Sequence, residues 1–266
     1  MFTVLSNIVA IYRRELQGYF ASPLAYAVAG VFWLLTGYFF VALLLGPEGL
    51  IQQVAYRDQL GITDPPIDLP YQFLQVFLQL LGSMSLFILP ILSMGLYTEE
   101  RKQKTLELLA TSPITNWAVA IGKLLGVGTF FFTMILPLML LEAIALNTAQ
   151  PPISPGIFLT AHAGLVLLAM GVLSLGMFIS SLTESTILSA ILTFALVLFL
   201  WVVDLIGNTV GGNIGDALNH MSLISNYGNL VKGVIDTSSL ILFASYIILG
   251  IFLTAQSIDT LRFQRS

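Results

Sequence analysis

The sequence predicts an all-α integral membrane protein with six transmembrane helices, and two observations carry the prediction. Of 266 residues 57% are apolar and only 9% are charged, against about 25% charged in an ordinary soluble domain. The charges are also gathered into short stretches separated by long runs with almost none. A bilayer core is crossed by about 20 apolar helical residues. Six charge-poor runs reach that length: 24–45, 72–96, 117–146, 157–180, 186–206 and 239–260. The whole chain, 1–266, reads as a single transmembrane domain.

Orientation follows from the basic residues. Arg13 and Arg14 precede the first run, Arg101, Lys102, Lys104 and Lys123 flank the second-to-third connection, and Arg262 and Arg265 follow the sixth, so eight of the ten lie on one side. Only Arg57 and Lys232 lie on the other, together with Glu48, Asp58, Asp64, Asp68, Asp216 and Asp236. The split predicts a multi-pass protein of the inner (plasma) membrane with both termini cytoplasmic. The overlong third run then begins as a cytoplasmic helix carrying Lys123, whose stem can snorkel. Pro90 and Pro137 read as kinks inside the second and third runs.

Taken in order, residues 1–22 read as a retained interfacial elbow helix and not as a signal peptide, because Arg13-Arg14-Glu15 follows the short apolar stretch and no small-residue cleavage site appears. Leu5, Ile8, Val9, Tyr12, Leu16, Tyr19 and Phe20 share one face; Ser6, Asn7, Arg13, Arg14 and Gln17 share the other. A membrane anchor with no further role is the competing reading. Ser22-Pro23 turns the chain into the first span. Residues 46–71, with Asp64-Pro65-Pro66-Ile67-Asp68-Leu69-Pro70, read as a stiff connector without helical period. Residues 207–238 open on glycines and then place Ile224, Tyr227, Val231, Val234 and Ile235 at helical spacing, which predicts amphipathic or re-entrant helices on the outer side. Asp216 and His220 within it read as surface or capping residues.

Several kinds of chemistry are excluded. A net charge of −4 without a basic stripe argues against nucleic acid. The absence of cysteine excludes disulfides and thiolate metal sites, and two histidines make an imidazole cage improbable, so no metal is expected. Gly122-Lys123 is followed by Leu124, with Trp117 where a phosphate-binding loop needs glycine. No catalytic residues emerge: Gly82-Ser83-Met84-Ser85 is not a serine-protease signature, and His162 lies toward the outer end of its run. Glu142 and Asp204 also fall toward outer ends, where hydration is expected in place of proton relay. Gly122-x-x-x-Gly126, Gly164, Gly171 and Gly176 suit close helix packing. Ser83, Ser85 and Ser93 also read mainly as packing residues, with pathway lining as the alternative.

The informative segment is 97–117. It is the densest charge cluster in the chain, with Thr98 placed to cap a helix whose first turn carries Glu99 and Glu100, and Ser112-Pro113 placed to start another. Leu106, Leu108 and Leu109 between them need an apolar partner, which suits docking into a groove on another protein. A solvated loop is the alternative.

The run Thr98-Glu99-Glu100 to Lys104-Thr105-Leu106-Glu107-Leu108-Leu109, then Thr111-Ser112-Pro113 and Gly122-Lys123, resembles the first intracellular loop of type-2 ABC exporter permeases. The resemblance is greatest to the gliding-motility-type branch, and next to the permease of nitrous-oxide reductase maturation. Arg13-Arg14-Glu15, Ser180-Ser181-Leu182-Thr183-Glu184 and Gly233-Val234-Ile235-Asp236 agree with it, whereas the acidic, proline-rich first outer loop matches no feature of that family. The resemblance implies a non-enzymatic permease subunit that moves a substrate, an envelope component such as a lipid or glycan, outward. ATP and Mg would be bound in a partner ABC ATPase subunit and no cofactor in this chain. A second permease chain, the same one in a homodimer, membrane lipid and an envelope accessory protein complete the implied partners. Glu99, Glu100, Arg101, Thr105, Leu106, Glu107, Leu108, Leu109, Thr111 and Pro113 would contact the ATPase as a coupling helix, and Tyr12, Arg13, Arg14 and Glu15 would belong to the elbow. The rival reading is a non-transport anchor that couples an ATPase to an envelope complex.

Overall fold

The computed structural model describes residues 2–62, 64, 67–105 and 114–263, which are almost entirely helical and contain no strand. In chain order the helices are α1 (Phe2–Ala21), α2 (Pro23–Leu45), α3 (Leu50–Gln59), α4 (Leu69–Ser93), α5 (Gly95–Lys102), α6 (Asn116–Asn147), α7 (Pro155–Leu182), α8 (Thr186–Val210), α9 (Gly212–Met221), α10 (Leu223–Val231) and α11 (Thr237–Phe263). Six stretches are long and apolar enough to cross a membrane, led by α2, α4, α6, α7, α8 and α11. The protein is therefore an all-α integral membrane protein.

Local chemistry sets several helix starts. Ser22 accepts from the Ala25 amide with Pro23 in the first turn, and Asp68 accepts from the Tyr71 amide ahead of Pro70. Ser185 and Ser222 cap α8 and α10 in the same way. Each removes an amide that would otherwise lack a partner.

At the centre is α7, 72% of whose apolar window is buried, against 28% for α2 and α8. Its small residues explain this. Gly250 of α11 lies against the Ser174 backbone so closely that no Cβ fits, and Ser174 donates to the Tyr246 carbonyl at 3.0 Å. On the other flank, Phe40 of α2 meets Phe73 and Phe77 of α4 with ring centroids 5.1 and 5.4 Å apart.

The segment after α8 re-enters the bundle. Gly211 and Gly212, both at φ +64°, turn the chain from α8 into α9, a conformation glycine adopts without steric cost. The α9–α10 corner is the deep point. The Met221 carbonyl accepts from Tyr246 at 2.8 Å, nine residues into α11, or about 13 Å from its start. From there α10 returns along α4: Tyr227 donates to the Leu78 carbonyl at 2.6 Å and packs on Gly82, and the Lys232 carbonyl meets Tyr71 near the start of α4.

Two expectations are corrected, and a third falls outside the described residues. Residues 46–71 are not wholly a connector, because α3 forms there, packed on α2 and α4. Thr98 caps nothing: α5 begins at Gly95, and the Thr98 hydroxyl bonds the Met94 carbonyl from within the helix. The third spanning helix begins at Asn116, whereas Ser112 and Pro113 lie outside the described residues.

Candidate coupling site

The elbow helix is held to α6 by close approach. A Cβ on Gly122 would stand 2.8 Å from Ile11, and one on Gly126 would stand 2.8 Å from the Glu15 Cβ. The glycines of the G-x-x-x-G pair thus form a shallow channel in which α1 lies. Its seated face includes Ile8, Ile11, Glu15, Leu16 and Tyr19; Leu5, Val9 and Phe20 stay exposed, so the packed face is rotated from the purely apolar one read from spacing. Tyr19 anchors the same face by donating to the Leu92 carbonyl at 2.6 Å.

Between the two glycines stands Lys123. Its ammonium donates to the Leu96 carbonyl at 2.7 Å and pairs with Glu15 at 3.2 Å and Glu100 at 3.1 Å, and it faces the Tyr97 ring with the centroid 4.9 Å away. Lys123 does not snorkel, contrary to the sequence expectation; it is 3% exposed. Taking a lysine out of water is costly unless its charge is paired and its donors are satisfied. Here two carboxylates, a carbonyl and a π face provide that. One cation thereby joins three elements: elbow helix α1, span α6 and α5 at the head of the proposed coupling loop.

A second attachment holds α5 to the C-terminal end of α7. Ser180 Oγ accepts from the amides of Tyr97 and Thr98 at 2.8 and 3.2 Å and donates to the Met94 carbonyl at 3.0 Å. Arg101 donates to the Ser181 carbonyl. Asn116, at the start of α6, donates to Asp259 of α11, and Trp117 beside it meets Phe252 at a tilt, with ring centroids 5.9 Å apart. Two sequence stretches far apart, 97–101 and 180–181, therefore form one polar layer.

Of the residues proposed for ATPase contact, Glu100 and Arg101 point into this layer, Glu99 is exposed and Thr105 bonds back to the Glu100 carbonyl. Lys104, with φ +57°, turns the chain after α5. Leu106, Glu107, Leu108, Leu109, Thr111 and Pro113 lie outside the described residues. In the elbow, Glu15 reaches the layer, Tyr12 is half-buried, and Arg13 and Arg14 are exposed. Lys123 is the residue that sequence reasoning misassigned, although a lone lysine between two packing glycines is a signal that it faces a partner helix.

Beside the layer is a cavity of about 340 Å³ between α1, the start of α2 and the α4–α5 junction. Burial, then the charges of Glu15 and Glu99, pushes the Tyr19 phenol on its wall well above the ordinary tyrosine range.

Glu142 of α6 also departs from expectation. It is fully buried and not open to bulk water, and it lies 3.5 Å from His162 Nε2 of α7. Neither carboxylate oxygen has a hydrogen-bond partner among the described residues. His162 Nδ1 contacts the Phe158 carbonyl at 2.9 Å, with the Phe158 ring 4.3 Å away.

A comparison with curated proteins returned no match. A family model described as ABC-2 family transporter protein matches residues 86–266, from the second half of α4 through α5, the re-entrant pair and α11. That match covers more than half of the chain and contains most of the polar layer around α5. The chain therefore belongs to the ABC-2 transporter family, as a membrane-spanning permease component of an ABC system.

Proposed function

We propose that this permease is the membrane half of an ATP-driven exporter of the gliding-motility or nitrous-oxide-reductase-maturation type. Two copies work with two ABC ATPase subunits, which bind ATP and Mg. Segment 97–117 is the coupling element that sits in a cleft of the ATPase. The observation that carries this reading is the Lys123 layer: a displacement of α5 is passed to α6 and α1 through one buried cation and to α7 through Ser180 and Arg101. A merely solvated loop has no need of such attachments. The positive-inside distribution supports an inner-membrane protein with cytoplasmic termini and supports an α5 that lies on the ATPase side. The cargo is an envelope component, a lipid or glycan, moved outward by alternating access or lateral extrusion.

The test is co-purification of the tagged permease with its candidate ATPase, comparing wild type with Leu106→Asp/Leu109→Asp. Loss of the ATPase from a correctly inserted variant is the expected result. An unchanged complex refutes the coupling assignment. Complex formation with ATP turnover but no vectorial movement of envelope lipids or glycans in vesicles would make the chain an anchor and not an exporter.

A further inference from the structure

We infer that the cavity beside the Lys123 layer binds the headgroup of an inner-leaflet phospholipid carrying a primary amine. The leaflet assignment rests on the topology proposed above; the binding chemistry does not. At about 340 Å³ the cavity is at the small end of ligand sites, about 300–1,000 Å³. It is large enough for a headgroup and too small for acyl chains. Its walls divide accordingly. Leu24 and Ile91, 52% and 38% exposed, form an open apolar side along which acyl chains would continue. The other wall carries Arg14, Glu99 and Glu100.

The charges on that wall select the headgroup. Lys123 faces two carboxylates, and Glu99 adds a third against Arg14, so the lining is one negative charge in excess. Glu100 Oε1 is held by Lys123 at 3.1 Å, but Oε2 is buried and has no hydrogen-bond partner among the described residues. Turned toward the cavity by a rotation of the Glu100 side chain, which keeps 13% of its surface, that oxygen would be satisfied by an N–H or O–H donor there. A primary ammonium brings three such donors and the missing positive charge; a trimethylammonium brings the charge without a donor. The phosphate of the same zwitterion would lie at the Arg14 guanidinium. An anionic headgroup without an amine would add to the excess negative charge.

Gly18 provides a clean perturbation. It lines the cavity, and its Cβ position has nothing within 4 Å, so Gly18→Phe adds bulk at the cavity wall without a clash at the Cβ. The experiment is native mass spectrometry of the purified permease in detergent, titrated with phosphatidylethanolamine, phosphatidylcholine and phosphatidylglycerol. Wild type is expected to hold one phosphatidylethanolamine per chain, with the other two at least about tenfold weaker. Gly18→Phe should abolish the selective binding, and Glu99→Gln and Arg14→Gln should each weaken it about tenfold, with thermal midpoints in lipid-free detergent unchanged. Equal binding of the ethanolamine and choline lipids, or selective binding that survives Gly18→Phe, overturns the site. The chain has no cysteine, so Gln103→Cys gives a single label in the same wall. Labelling from the outer side overturns the leaflet assignment whatever the titration shows. No ATPase is present, so failure here is separate from failure of the docking test.

Discussion

Replacing Lys123 with methionine removes the cation that faces both Glu15 and Glu100 while keeping most of the side-chain volume. Two carboxylates are then left against each other next to an apolar helix interface. Breaking a buried ion pair from one side costs about 3–5 kcal/mol. Glu15 and Glu100 keep 20% and 13% of their side-chain surface, so water relieves part of the penalty and the expected loss is at the low end, about 3 kcal/mol. If uncompensated charge causes the loss, the triple variant Lys123→Met/Glu15→Gln/Glu100→Gln, which carries no charge in the layer, should return to within about 1 kcal/mol of wild type. The assay is unfolding in detergent followed by tryptophan fluorescence, with protease susceptibility of α1 as a local readout. A single variant as stable as wild type, or a triple variant no better than the single, would refute the reasoning, because either outcome means that Lys123 does not hold α1 and α5 by charge.

Three further outcomes follow from the same structure. Gly126→Leu places a side chain where the Glu15 Cβ lies at 2.8 Å; it should cost about 1–3 kcal/mol through overpacking and free α1 to proteolysis, whereas the same change at Gly37, with nothing near its Cβ, should do neither. Glu142→Gln removes a buried carboxylate that has no hydrogen-bond partner among the described residues; thermal stability should stay within about 1 kcal/mol of wild type or rise, and a loss above about 3 kcal/mol would show that the pair with His162 is an essential contact. Tyr19 stays neutral in the folded protein well above its ordinary value of 10.0. Its contribution is therefore complete below pH 10 and is lost as the pH climbs toward the folded value, so Tyr19→Phe should flatten the alkaline fall in stability measured above about pH 10.

The spans were legible because the bilayer writes a length requirement into the sequence: 24–45 and 239–260 correspond to α2 (Pro23–Leu45) and α11 (Thr237–Phe263). The two short helices between α8 and α11 were legible in part, since glycines at a corner are followed by helical periodicity. Other features depend on contacts between distant residues. Ten residues of α3 have weak apolar character and precede a proline-rich run, so their helix rests on α2 and α4 and has little local signal. Glu142 sits five residues from the end of α6, which suggests water, but α10 folds back over that end of α7, seating Leu230 on Gly164. Within the coupling site, the charge cluster at 99–104 was visible, whereas the partner of Lys123 is 108 residues away in the elbow helix and no spacing rule connects them.

The distribution of attachments bears on how a push at α5 would travel. Packing alone transmits displacement poorly along α2 and α8, whose apolar windows are mostly free of the rest of the chain. By contrast, α6 and α7 are fastened to α5 by charge and by hydrogen bonds at the ends nearest it, and α11 is fastened to α7 by Ser174 and to α6 by Asp259. Three spans thus form one body with α5, and α1 rides on it through Lys123. At the other end, Tyr227 ties the re-entrant pair to α4, outside that body, and Tyr246 of α11 ties it to the body through the Met221 carbonyl. A rigid-body motion of α6, α7 and α11 would therefore work against α4, which packs along α7 and holds the re-entrant pair through Tyr227. In this arrangement the hydrogen bond from Tyr227 to the Leu78 carbonyl is one of the contacts across that boundary. Tyr227→Phe keeps the ring and removes that bond, so it should raise ATP turnover in the assembled complex while costing the isolated permease only about 1 kcal/mol of stability. Unchanged turnover with that loss of stability would place the moving boundary elsewhere.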